Sequence, residues 1–335
     1  MRRRVLLGAA VLAMPAVRAG AQAADAGSTV PGGRPPTSGV HPFQAEGEFT
    51  NRLDATFGRT HPGATIRSKA ELDRIAYYRF IYGDSATTGD GTDGLYKNYR
   101  SRHRDYRDGD PRALHAFTDD ALVLKAHCGL ESAVRSDCGD GNIESGIVRF
   151  ALPIRPGSYV ETRCRMPTAR YAWPAFWLNP GQQFPGLPGS KARTSTLTWP
   201  PEIDIFDQFG FDGVPPGRAL VSGSEGSGAE YGNPHDTYLD PDWGGQWYYQ
   251  PKDDLTAGFH VFALDWRTDN TLRYALDGHV YKQSYYEWNS KDAVPAHLIA
   301  SLQIGPKFND LHGITNSGSG WDWPISYIRV WSRTS

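Results

Sequence analysis

The chain has 335 residues, with 35 Lys and Arg against 37 Asp and Glu and a formal net charge of −2 at pH 7. So even a balance gives no basic face for nucleic acid, and no apolar run beyond the N-terminus is long enough to cross a membrane as a helix. Aromatics stand out, with 10 Trp and 17 Tyr; such side chains either fill a core or present flat apolar faces with a polar edge, which suit sugar rings.

In chain order, Arg2, Arg3 and Arg4 precede an apolar run from Val5 to Val17, and Ala21-Gln22-Ala23 offers a small-x-small cleavage site. Residues 1–23 therefore read as an export signal and the mature protein as secreted or periplasmic, with the twin-arginine and general routes both open. Residues 24–41 are rich in Gly, Pro, Ser and Thr and read as a flexible linker. Residues 42–335 show no further change of composition and no internal repeat, so they are expected to form one domain.

Ser68 to Phe80 is the best helix candidate. From Ala121 onward short runs rich in Val, Ile, Tyr, Phe and Leu alternate with Gly, Pro, Asn and Asp, the pattern of strands and turns. Strands are expected at Ala121–Lys125, Gly146–Pro153, Ser158–Met166, Trp173–Leu178 and Glu202–Phe206. Further strands are expected at Gly258–Trp266, Thr271–Leu276, His297–Ile304 and Ile325–Trp331. Asp277-Gly278 is a hairpin signal. Many short strands imply a sandwich or barrel. Gly83 to Asp110, Asn179 to Thr198 and Gly210 to Pro251 look irregular, and loops of this length are commonly functional.

Cys128 and Cys138 flank a short polar loop and are expected to form a disulfide in an exported chain. Cys164 lies in an alternating strand pattern and reads as a buried, inert thiol. No paired Cys/His spacing points to zinc.

The chemistry is concentrated in Glu202-Ile203-Asp204-Ile205-Phe206-Asp207. A strand alternates faces, so Glu202 and Asp204 share one face and Ile203 and Ile205 the other. Asp207 has the wrong parity, and a β-bulge near Ile205-Phe206 would bring it onto the acidic face. Like charges so close raise one pKa, which is how a general acid stays protonated beside an ionised nucleophile. Retaining glycoside hydrolysis needs that pair. A solvated strand face or a calcium site built of carboxylates would use the same residue types.

Around this strand the chain resembles glycoside hydrolase family 16, the laminarinase, licheninase and agarase group. The likeness runs in order through Glu144-Ser145-Gly146, Ser158 to Arg163, Trp173-Pro174-Ala175-Phe176-Trp177-Leu178 and Trp199-Pro200-Pro201-Glu202-Ile203-Asp204. It continues through Phe259-His260-Val261, Asp265-Trp266, Tyr274 with Asp277-Gly278, and Tyr327 to Trp331. The resemblance implies an all-β, concanavalin A-like jelly-roll sandwich of two antiparallel sheets with an open cleft. It also implies endo-acting, retaining cleavage of a β-linked polysaccharide by a monomer without a cofactor, although a structural calcium ion is compatible with such folds. On that pattern Glu202 matches the nucleophile, Asp204 its helper and Asp207 the acid/base. Trp173 and Trp177 match cleft aromatics, Trp199 is a further cleft candidate, and Gln303 lies on a strand that crosses the cleft.

The family carries Glu where this chain has Asp207, one methylene shorter. Three readings follow: a backbone shift that keeps Asp207 working, a wider gap that admits water and inverts the stereochemistry, or a cleft that only binds, as a lectin does. Asp212, Glu225 and Glu230 are candidate replacement acids.

Overall fold

The computed structural model describes residues 49–78, 101–103, 106–128, 143–169, 172–180, 202–208, 220–221, 225–226, 248–249, 253–288, 295–304 and 321–334. The N-terminal part opens with β1 (Phe49–Thr56), a single helical turn α1 (Lys69–Leu72), β2 (Ala76–Tyr77), β3 (Ser101–His103) and β4 (His115–Phe117). Next come β5 (Leu122–Leu124), β6 (Ala126–Cys128), β7 (Ile143–Ser145), β8 (Ile147–Ile154) and β9 (Ser158–Cys164). The central part holds β10 (Ala172–Pro180), β11 (Glu202–Gln208), β12 (Leu220–Val221), β13 (Glu225–Gly226) and β14 (Tyr248–Tyr249). The chain closes with β15 (His260–Trp266), β16 (Thr271–Leu276), β17 (His279–Tyr285), β18 (Ala296–Ile304) and β19 (Trp323–Arg333).

Two antiparallel sheets pack face to face. One runs β17-β16-β15-β9-β19-β5-β4, with β1 also on β19. The other runs β14-β12-β11-β10-β18-β8-β2, with β13 also on β11. A small third sheet joins β3, β7 and β6. Alternation puts one side chain in two between the sheets: Val160 and Thr162 of β9 and Phe262 and Leu264 of β15 face Phe176, Ile203, Phe206, Leu298 and Ala300 of the second sheet. Phe206 sits at the centre of this layer, 4.4 Å from the Phe262 ring and 6.0 Å from that of Trp323. The all-β jelly-roll sandwich is the fold expected.

Local chemistry accounts for several joints. Asp277 and Gly278 take φ of 49° and 80°, the left-handed pair a two-residue hairpin demands. Asp277 also accepts from Val261 N at 2.8 Å and lies 2.7 Å from His260 Nδ1, tying the hairpin to β15. Gly146 is required by space, since a Cβ there would stand 2.6 Å from the Leu114 carbonyl oxygen.

Three expectations need correction. The helix expected over Ser68 to Phe80 is one turn, capped by the Ser68 side chain. Ala76 and Tyr77 instead pair with Phe150 and Arg149 at the sheet edge, so tertiary pairing overrides local propensity. Asn179, taken as the start of a loop, belongs to β10. Of the other stretches expected to be irregular, Gly83 to Asp110 contains β3, and Gly210 to Pro251 contains the short strands β12, β13 and β14. Cys164 is free and fully buried, and burial pushes its thiol pKa well up, consistent with an inert residue. Cys128 lies in β6, but its side chain and Cys138 fall outside the described residues.

The face of the first sheet turned away from the core carries buried polar groups beside a small apolar cluster of Tyr159, Ala263, Ala275 and Trp331. Fully buried Asp265 accepts from both Arg273 and Arg333. Arg329 donates to Asp54 at 3.0 Å, and Tyr159 OH to Glu161 at 2.9 Å. Burial raises the Glu161 pKa to about 7, against the lowering influence of Tyr159 and Arg329. The folded state then holds the Glu161 proton more tightly than the unfolded chain. Its contribution is fully favourable below about pH 4.5 and declines as pH rises toward 7. Glu161→Gln is expected to flatten the fall of Tm between about pH 5 and pH 8; an unchanged slope in a thermal melt series would refute this assignment.

Candidate active site

The three carboxylates of β11 are brought together by one irregularity of pairing. Against β10, Phe176 pairs with Phe206 but Trp177 pairs with Asp204, so Ile205 is an extra residue. Ile203, Ile205 and Phe206 all join the core. Glu202, Asp204 and Asp207 are left on the opposite face. The bulge expected near Ile205-Phe206 is present, and it restores the parity of Asp207.

The floor beside the carboxylates comes from β10 and β18. Trp177 is opposite Asp204 on one side and Ile299 on the other; Ala175 is opposite Asp207 and Ser301; Trp173 is opposite Gln303. Trp173 and Trp177 are nearly buried but stand outside the core cluster, on the carboxylate face. The Trp177 indole N–H donates to Ser301 Oγ at 3.1 Å. Trp177 leans toward the Ala175 row, where the small Ala175 side chain leaves room between Asp207 and Ser301.

Exposure separates the acids. Asp204 is 1% exposed and Asp207 8%, whereas Glu202 is partly exposed. Burial, and then the charge of Asp204, hold the Asp207 pKa well above the ordinary carboxylate range, with the Trp173 side chain pulling the other way. Asp207 therefore holds its proton more tightly than an ordinary carboxyl does. This row has the form required of a proton donor next to a more exposed carboxylate.

Of the residues expected at the site, Glu202, Asp204, Asp207, Trp173, Trp177 and Gln303 share this face. Trp199, Asp212 and Glu230 lie outside the described residues, as does the side chain of Glu225. The structure adds Ser301, Asn179, His297 and Arg149 to the face. Alternation through His297, Ile299, Ser301 and Gln303 could have found two of them; Asn179 was hidden by its place next to Pro180.

A jelly-roll sandwich with a carboxylate row and tryptophans along one sheet is the arrangement expected of a glycoside hydrolase. No family model matches the chain. It is 28% identical over 220 residues to a glucan endo-1,3-β-glucosidase of Cryptopygus antarcticus, covering 60% of this chain and 73% of that one. It is 23% identical over 222 residues to the endo-1,3-1,4-β-glycanase EglC of Rhizobium meliloti (strain 1021), covering 65% of this chain but 39% of the other. In fold it matches SCLam, a non-specific endo-β-1,3(4)-glucanase from family GH16, with a TM-score of 0.56 and 18% identity over 88% of this chain and all of that one. The resemblance to glycoside hydrolase family 16 is therefore borne out, by curated relatives that are endo-β-glucanases and by a fold shared with a structure of that family.

If Asp204 helps to keep Asp207 protonated, removing its charge must lower the Asp207 pKa. Asp204→Asn is expected to move the alkaline limb of the kcat/KM profile to lower pH by about one unit. A limb that stays in place would show that Asp204 does not set the protonation of Asp207.

Proposed function

We propose that this protein is an exported, endo-acting hydrolase of a β-linked glucan that works by retaining double displacement. The observation that carries this reading is the alignment of Glu202, Asp204 and Asp207 on one face by the Ile205 bulge, supported by the raised pKa of Asp207. Glu202 attacks the anomeric carbon and the glycosidic C–O bond breaks. Asp207 gives its proton to the departing oxygen, which leaves a glycosyl ester on Glu202. Asp207, now a carboxylate, takes a proton from water; the hydroxide cleaves the ester and Glu202 is released. Asp204 orients Glu202, and its charge helps Asp207 to keep its proton until the leaving oxygen takes it. Trp173, Trp177 and Gln303 offer a flat apolar floor and a polar edge to the sugar rings. The balance closes with no cofactor. Export is supported by the basic start and the apolar run from Val5 to Val17.

The shorter Asp207 favours a second reading, a lectin-like cleft that binds a polysaccharide without cutting it. On a panel of β-glucans and bacterial exopolysaccharides the hydrolase yields new reducing ends, and NMR shows β-configured first products. Glu202→Gln is expected to lower the rate by about a thousandfold or more. If wild type and Glu202→Gln were equally inert, while polysaccharide retention survived Glu202→Gln and weakened in Trp173→Ala, the lectin reading would replace this one. A displacement of about 1 Å can cost about a hundredfold in rate, so Asp207→Glu is expected to lower activity if the backbone is tuned to Asp; a rise of similar size would mark the wild type as an impaired hydrolase.

A further inference from the structure

The register of β10 extends past the tryptophans. Leu178 is opposite Ile203, so the same antiparallel register sets Asn179 beside Glu202, on the face away from the core. On its other side Asn179 pairs with His297. Asn179 is fully buried, and among the described residues neither its Oδ1 nor its Nδ2 has a hydrogen-bond partner. A buried carboxamide without partners is costly, and in a folded protein it calls for an explanation. On the opposite flank of β11, Glu202 pairs with Gly226, which brings no side chain. Among the described residues, Asn179 is the side chain that the register sets directly beside Glu202 on a neighbouring strand.

His297 gives the carboxamide a direction. Its ring is buried, and Nδ1 lies 3.4 Å from the Phe150 carbonyl oxygen. A carbonyl only accepts, so Nδ1 carries the hydrogen and Nε2 offers a lone pair. Burial, and then the charge of Arg149 from β8, keep the ring neutral, so Nε2 remains an acceptor. One N–H of Asn179 can go to that acceptor, and the second then points across β10 toward Glu202. Such bonds are often open in the empty site and close when substrate is bound.

Resting on Glu202 as the nucleophile, we propose that Asn179, aimed by His297, is a positioning residue that donates a hydrogen bond to the Glu202 carboxylate. The bond favours the ionised form needed for attack and fixes which oxygen faces the anomeric carbon. Among the described residues, the charged and titratable groups around Glu202 are Asp204 and Asp207 on its own strand, with His297 and Arg149 beyond Asn179.

The test compares wild type with Asn179→Leu, His297→Leu and His297→Gln. Loss of the donor disfavours the carboxylate, so the acidic limb of kcat/KM, and the Glu202 titration followed by carboxyl 13C NMR, should rise by about half to one pH unit in Asn179→Leu. Its kcat should fall by about tenfold with KM little changed. His297→Leu should move the limb the same way, and His297→Gln, whose amide oxygen can replace Nε2, should restore it. A Glu202 titration unmoved in both Asn179→Leu and His297→Leu overturns the inference, as does a loss of rate that only tracks Tm. Should Asn179→Leu not fold, the His297 pair decides the matter. The NMR titration needs no turnover: a Glu202→Gln enzyme as active as wild type sinks the reading of Glu202 as nucleophile, whereas a silent Glu202→Gln with an unmoved titration sinks this inference alone.

Discussion

The site depends on one extra residue in the pairing of two strands. Had β11 kept strict alternation against β10, Asp207 would project into the layer now occupied by Phe206, Phe262 and Trp323. An unpaired carboxyl there would cost several kcal/mol. The bulge at Ile205 exchanges that outcome for a third acid on the outer face, and it lets Ile203, Ile205 and Phe206 all remain in the core. Packing and chemistry are satisfied by the same irregularity, so neither can shift without the other.

The two sheets treat buried acids differently. On the first sheet Asp265 is paired with two arginines, and Glu161 stands among Tyr159, Tyr327 and Arg329. Those groups answer the charge and hold strands together. On the second sheet Asp207 has a like charge beside it and little to offset the burial. A strongly raised pKa with no cationic partner among the described residues is what a proton-donating group requires. Glu161 shows the weaker shift that a structural network leaves behind.

Much of this was legible from residue order. The strands expected at Gly146–Pro153, Thr271–Leu276 and His297–Ile304 fall within one residue of β8, β16 and β18, and the parity argument on Glu202, Asp204 and Asp207 already required a bulge. What could not be read depends on neighbours remote in sequence. Phe49 to Thr56 carries polar residues because its outer side chains enter an ion network with Arg329, so its strand signal is faint. Ala76 and Tyr77 follow a good helix start and become an edge strand only because β8 is there to receive them. Asn179, beside a proline, resembles a loop until β18 supplies nine successive partners along β10.

The last strand carries a further consequence, for the order of assembly. β19 holds β9 along one edge, and β1 and β5 along the other, with Phe49 opposite Arg333. Until the final residues arrive, β9 lacks one of its two neighbours, and β1 and β5 have no strand linking them to the rest of the sheet. The first sheet closes late, by joining segments nearly the whole chain apart, a slow step in which loop closure must precede the contacts that reward it. A chain so wired leaves its first sheet open for as long as its last strand is withheld.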